Sequence, residues 1–169
     1  MNRRLFMSAL VVVGLVSTGI AATGCSLAQG PNAQQGTEAA EQVAIASEIT
    51  VFRSPTCGCC GQWIEHMKAA GFTVKDNLTD DMTAIKEQHG VPANLASCHT
   101  TIVDGYVVEG HIPAEDVQRL LTEKPDVAGI AVPGMPIGSP GMESGSYVEP
   151  YTVFSFTKSG ETVPFAEHS

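Results

Sequence analysis

Positive charge is scarce in this chain. Nine Lys and Arg stand against eighteen Asp and Glu, a formal net charge of −9 over 169 residues. A sequence-independent grip on nucleic-acid phosphates is thereby excluded, because such binding is carried by clustered cationic side chains. Aromatic residues are few as well, at 6% with a single Trp. No internal repeat organises the chain, which excludes a solenoid or propeller. No apolar run is long enough to span a bilayer comfortably. The longest, Leu5 to Val16, falls short of the roughly 20 residues such a span needs and is interrupted by Gly14.

What the chain does have is sulfur: five Cys and six Met, with three of the Cys inside the four positions Cys57-Gly58-Cys59-Cys60. Five is odd, so disulfides alone cannot use them all. The first 24 residues account for one. Arg3 and Arg4 precede the apolar run, and small residues follow from Ser17 onward, the form of an export signal. The segment ends Ala22-Thr23-Gly24-Cys25, similar to a bacterial lipobox although Ala22 stands where a branched aliphatic is usual. Lipidation of Cys25 and cleavage after Ala22 both remain open, and either places the mature protein outside the cytoplasm. Residues 25–47, rich in Ala, Gln and Gly, are expected to be a flexible tether. Residues 48–169 are then one domain, large enough for a single core.

Within that domain, Ile49-Thr-Val-Phe-Arg53 predicts a strand that stops at Ser54-Pro55-Thr56. The helix that follows places Cys60, Trp63, Ile64 and Met67 at i, i+3, i+4 and i+7, one apolar stripe. Phe72-Thr-Val-Lys75 predicts a second strand, and Thr79-Asp-Asp81 a second helix start, with Met82 and Ile85 inward. Asp104-Gly105 between Thr100-Thr-Ile-Val103 and Tyr106-Val-Val-Glu109 is a hairpin signal. Pro113 opens a helix with Val117, Leu120 and Leu121 inward. A long loop rich in Gly, Pro and Met follows, then a closing β-hairpin from Tyr151–Phe156 and Glu161–Phe165. The order β-α-β-α-β-β-α with a Cys cluster at the first strand-to-helix junction is a thioredoxin-like α/β arrangement, a central mixed sheet flanked by helices.

Thiols at a helix amino end meet unpaired N–H groups and the positive dipole end, which favours thiolate. Thiolates are nucleophiles and also soft-metal ligands, so two chemistries follow. Thiol–disulfide exchange would use Cys57 and Cys60, with Cys59 or Cys98 to resolve. Soft-metal binding would use every sulfur that converges. A third thiol between the C-x-x-C pair would scramble a clean exchange cycle. Cys98 falls in the loop that faces the C-x-x-C turn in thioredoxin-like folds, where a cis-proline is usual and Ser97-Cys98-His99-Thr100 stands here. Adjacent Cys59 and Cys60 suit bridging thiolates in a polynuclear Cu(I) cluster better than one tetrahedral ion. Ordinary disulfides among the four Cys, or a Zn or iron–sulfur site, are the competing expectations.

The motifs Ser54-Pro-Thr-Cys57-Gly-Cys59-Cys60, Ser97-Cys98-His99-Thr100, Tyr106-Val-Val-Glu-Gly-His111-Ile-Pro113 and Val132-Pro-Gly-Met135-Pro-Ile-Gly-Ser-Pro-Gly-Met142-Glu143 occur in order. Together they resemble the small exported CopG family of bacterial copper-tolerance proteins, over essentially all of residues 48–168. The resemblance implies a thioredoxin-like fold that binds copper through Cys57, Cys59, Cys60 and Cys98, in the periplasm or on the outer face of a membrane. Met135 and Met142, repeated as Pro-Gly-Met, are soft candidate ligands for Cu(I) or packing residues of the loop. His99 and His111 are candidate ligands, gates or proton carriers. His66, His89 and His168 read as structural or surface residues, and Trp63 and Met67 as core. Partners expected are copper ions and other periplasmic copper-handling proteins, with a membrane engaged only through Cys25.

Overall fold

The structure, a computed structural model, describes residues 47–169. The expected export signal (1–24), Cys25 and the tether through residue 46 lie outside the described residues, as do Met1 and Met7. No described helix is long and apolar enough to cross a membrane.

Seven strands form one mixed sheet in the order β2-β1-β3-β4-β5-β6-β7. β1 (Glu48–Arg53) runs parallel to β2 (Thr73–Leu78) and antiparallel to β3 (His99–Val103), which pairs antiparallel with β4 (Tyr106–Glu109). β4 is parallel to β5 (Gly129–Ala131), and β6 (Tyr151–Phe156) and β7 (Thr162–His168) close the far edge antiparallel, with an irregularity at Val153/Phe154. Three α-helices accompany the sheet among the described residues: α1 (Gly58–Ala69), α2 (Met82–Gln88) and α3 (Ala114–Glu123).

Each helix starts where its local chemistry allows. Cys57 is the N-cap of α1 and its Sγ accepts the Cys60 N–H. Asp81 caps α2 through its carboxylate, accepting from Ala84 N–H at 2.9 Å, so α2 begins at Met82 rather than at Thr79. α3 follows Pro113, which offers no side-chain cap. The first backbone N–H of α3, on Ala114, is satisfied instead by His66 Nε2 of α1 at 3.1 Å. The expected stripe of α1 is the one buried: Cys60, Trp63, Ile64 and Met67. It meets Val117 and Leu120 of α3 and the aliphatic face of β1, β4 and β5 in the main core.

Two departures from the sequence-based expectations concern elements without a periodic signal. β5 lies inside the segment expected to be loop. Three residues are too few to show alternation, and Gly-Ile-Ala is a strand only because β4 and β6 supply both its edges. Met82 and Ile85 of α2 are half-buried rather than core: α2 lies against β1 and β3 through few contacts and has no fully buried residue.

Candidate metal centre

At the end of β1 the chain makes a tight turn, the Cys57 N–H donating to Ser54 O at 3.1 Å, and enters α1 directly. Arg53, held by a bidentate pair of bonds to Asp76, also donates to Cys57 O, which steadies the turn from below. Cys57 and Cys60 are joined by a disulfide, while Cys59 and Cys98 are free. Cys59 Sγ stands 3.5 Å from Cys57 Sγ.

Cys98 reaches the same place from the opposite side of the sequence, one residue before β3. The sulfurs of Cys57, Cys59, Cys60 and Cys98 all lie within 4.8 Å of one another. A second, overlapping set with the same closeness joins Cys60 and Cys98 to ring nitrogens of His99 and His111. Cys98 Sγ is 2.8 Å from His111 Nε2 and 3.5 Å from His99 Nδ1. His111 Nδ1 is 2.7 Å from the Pro140 carbonyl, and an acceptor there requires that this nitrogen carry the proton, leaving Nε2 as the lone-pair nitrogen facing Cys98. Both imidazoles are fully buried; Trp63 packs on His99 at 4.4 Å between ring centroids, and His99 meets His111 edge-on at 4.9 Å. His99 Nε2 finds no hydrogen-bond partner among the described residues.

Burial sets the protonation of this cluster. It lowers His111, and it lowers His99 further with help from the neighbouring His111, so both rings are neutral near pH 7. The Cys98 thiol is pushed up to about 12, first by burial and then by Cys59 beside it. The helix dipole that favours thiolate at the start of α1 therefore does not govern Cys98. Cys98 and the two imidazoles thus form an uncharged group with little solvent, suited to a soft cation that displaces a thiol proton on binding.

The Gly- and Pro-rich loop forms the fourth wall. Gly141, with φ +82°, presses so closely on α1 that a Cβ there would lie 2.7 Å from Cys59 O and 2.8 Å from Trp63 N. Met142, the next residue, is half-buried, and its N–H closes a turn onto Ser139 O. Met135 is 50% exposed at the rim, beside Gly134, whose carbonyl accepts from Ser97 Oγ. Of the eight residues singled out by sequence, six (Cys57, Cys59, Cys60, Cys98, His99 and His111) thus converge. Met142 follows Gly141, whose backbone lies against Cys59 and Trp63, and Met135 is half exposed. The sequence reading missed the Pro140 carbonyl, Ser97 and Glu109; an acidic residue closing the otherwise apolar strand Tyr106-Val-Val-Glu109 was the available signal for the last.

A family model described as "Protein of unknown function, DUF411" matches residues 95–142. Two solved structures are similar over the described domain. One, "Copper resistance protein copG- Form 1", is 49% identical with a TM-score of 0.69, covering 72% of this chain and 96% of that one. The other, Form 2 of the same protein, is 48% identical with a TM-score of 0.70, covering 73% and 98%. No curated protein matches the chain.

Proposed function

The chain belongs to the CopG family of copper resistance proteins, and from that premise we propose that it binds copper as Cu(I) in a multinuclear thiolate site on Cys57, Cys59, Cys60 and Cys98. His111 and His99 supply imidazole nitrogen, and Met142 and Met135 supply thioether at the site and its rim. The observation that carries this reading is the meeting of four sulfurs within 4.8 Å of one another, beside two buried neutral imidazoles. Four sulfurs exceed what one Cu(I) ion needs, and adjacent Cys59 and Cys60 favour thiolates that bridge between ions. The strand–helix order and the β2-β1-β3-β4 half of the sheet support a thioredoxin-like domain as the scaffold. On this reading residues 1–24 export the chain, Cys25 is a candidate lipid anchor, 25–47 are the tether, and 48–169 sequester or transfer copper outside the cytoplasm, exchanging it with other periplasmic proteins.

The Cys57–Cys60 disulfide and a four-thiolate site exclude each other. Two electrons and two protons from a thiol reductant open the bond to two thiols, and those thiols release their protons to solvent as their sulfurs bind copper. Anaerobic Cu(I) titration of the reduced chain, with elemental analysis, tests the reading. More than one copper per chain is expected, falling in Cys98→Ser. No uptake, or full uptake without Cys98, would overturn it. A second reading would use the same disulfide for thiol–disulfide exchange through Cys57 and Cys60. Reductase turnover in metal-free buffer that survives loss of Cys59 and Cys98 would establish that one instead.

A further inference from the structure

Glu109 is fully buried, yet it ends the strand that faces the Cys98 segment. Its carboxylate is saturated with donors from three places in the chain. Oε1 accepts from Lys86 Nζ of α2 at 2.5 Å and from the Ser97 backbone N–H at 2.6 Å, and Oε2 accepts from Thr100 Oγ1 at 2.7 Å. Lys86 also donates to Thr100 Oγ1 at 3.2 Å. The following residue grips the same segment again, the Gly110 N–H donating to His99 O at 3.0 Å. Cys98 is therefore held from both sides, through the peptide N–H of the residue before it and the carbonyl of the residue after it. Gly110 makes the approach achievable: its φ is +85°, and a Cβ there would lie 2.5 Å from Ser97 Oγ and 2.7 Å from Val132 O. Ser97 Oγ in turn donates to Gly134 O, so the grip extends to the loop carrying Met135.

Stability alone is a poor reason to keep such a group. A buried ion pair recovers little more than its desolvation cost, and apolar residues of similar volume often serve a core as well or better. What apolar residues cannot do is accept the Ser97 N–H. We propose that Glu109 is a positioning residue for the metal centre, its Lys86-neutralised carboxylate fixing the Ser97-Cys98-His99 backbone so that Cys98 meets the other three sulfurs. The inference rests on the copper reading above and touches no metal itself. Supporting groups of this kind commonly govern ligand orientation.

The test compares the reduced full chain as wild type, Cys98→Ser, the double variant Lys86→Met/Glu109→Leu, the triple combination and Glu109→Gln. The double variant removes both charges together and so spares the fold an unpaired one. Cu(I) affinity, followed by thiolate-to-copper absorption, should fall about 10-fold to 100-fold in the double variant. Adding Cys98→Ser to it should cost less than about a further twofold, since the two changes remove one interaction. Glu109→Gln keeps an oxygen for Ser97 and for Lys86, whose side chain still reaches solvent, and should lie within about twofold of wild type. A folded double variant with wild-type affinity, or losses that add in full, would overturn the proposal.

A metal-free measurement separates this proposal from the copper reading. Alkylation of Cys98, resolved by peptide mass spectrometry, should be about tenfold faster in the double variant and unchanged in Glu109→Gln. If wild type takes up no copper, the copper reading fails, and the alkylation rates still decide the positioning role. If the double variant does not fold, Thr100→Val removes one donor to the carboxylate without unpairing a charge. It should accelerate alkylation about fivefold, and an unchanged rate would be equally fatal.

Discussion

Gly141 shows how one missing Cβ shapes the site. Its backbone lies against the first turn of α1, and a methyl group would drive into Cys59 O and Trp63 N, which are main-chain atoms that cannot rotate aside. Gly141→Ala therefore carries two penalties, the φ of +82° and the collision. Gly145 separates them, for it has φ +65° and nothing within 4 Å of where a methyl would stand. Gly145→Ala should cost about 1 kcal/mol, whereas Gly141→Ala should cost about 2 to 4 kcal/mol in urea unfolding. Only Gly141→Ala should also weaken copper binding, since it pushes the loop away from Cys59. Equal costs at the two positions would show that the contact with α1 does not matter. The Pro-Gly-Met echo was visible in the sequence as a pair of candidate ligands, but its glycine's role was not. A close approach between residues 141 and 59 exists only once the chain has folded.

At the scale of elements, the helix that carries the cysteines is stitched to the segment that carries His111. Trp63 Nε1–H donates to Ile112 O at 2.8 Å, and His66 Nε2 accepts from Ala114 N–H at 3.1 Å. Trp63 is fully buried, so Trp63→Phe keeps an aromatic ring but leaves the Ile112 carbonyl without its donor and a gap beside His99. It should destabilise the domain by about 1 to 3 kcal/mol. Met67→Leu, in the same stripe with no polar partner, should cost less than about 1.5 kcal/mol. Chemical denaturation of the two variants side by side checks the difference. The stripe of α1 was legible because four apolar residues at helical spacing declare a buried face whatever they pack against. The Asp104-Gly105 turn was legible for a similar reason: both residues adopt positive φ, 47° and 85°, which that dipeptide tolerates. β5 was not legible, and the acidic residue that closes an apolar strand hinted at Glu109 without showing its partners. A three-residue strand draws its identity from its neighbours, and a satisfied buried carboxylate depends on donors 23 and 12 residues away.

For the molecule as a whole, the buried donor set makes the metal-free protein stable only within a window of pH. His99 and His111 have folded pKa values below the ordinary 6.5 because burial disfavours their charged forms. Below pH 6.5 the unfolded chain takes up protons on these rings that the folded one refuses, so stability is lost as pH falls. Each ring that stays neutral in the folded state while its unfolded counterpart is protonated adds up to about 1.4 kcal/mol per pH unit to the slope. At the other end, Cys98 is raised from 9.0 to about 12 by burial and Cys59, and Tyr151 from 10.0 to about 12 by burial, then Asp116 and Glu115. Above pH 9 the unfolded chain releases protons that the folded one holds, and stability is again lost, now with rising pH. Urea unfolding of metal-free protein from pH 4.5 to 11 should therefore show a plateau between about 6.5 and 9 with a fall on either side. The double variant His99→Phe/His111→Phe should flatten the acid limb and leave the alkaline limb unchanged. An acid limb that survives in that variant would mean that carboxylates elsewhere, rather than the imidazoles of the metal centre, govern acid unfolding.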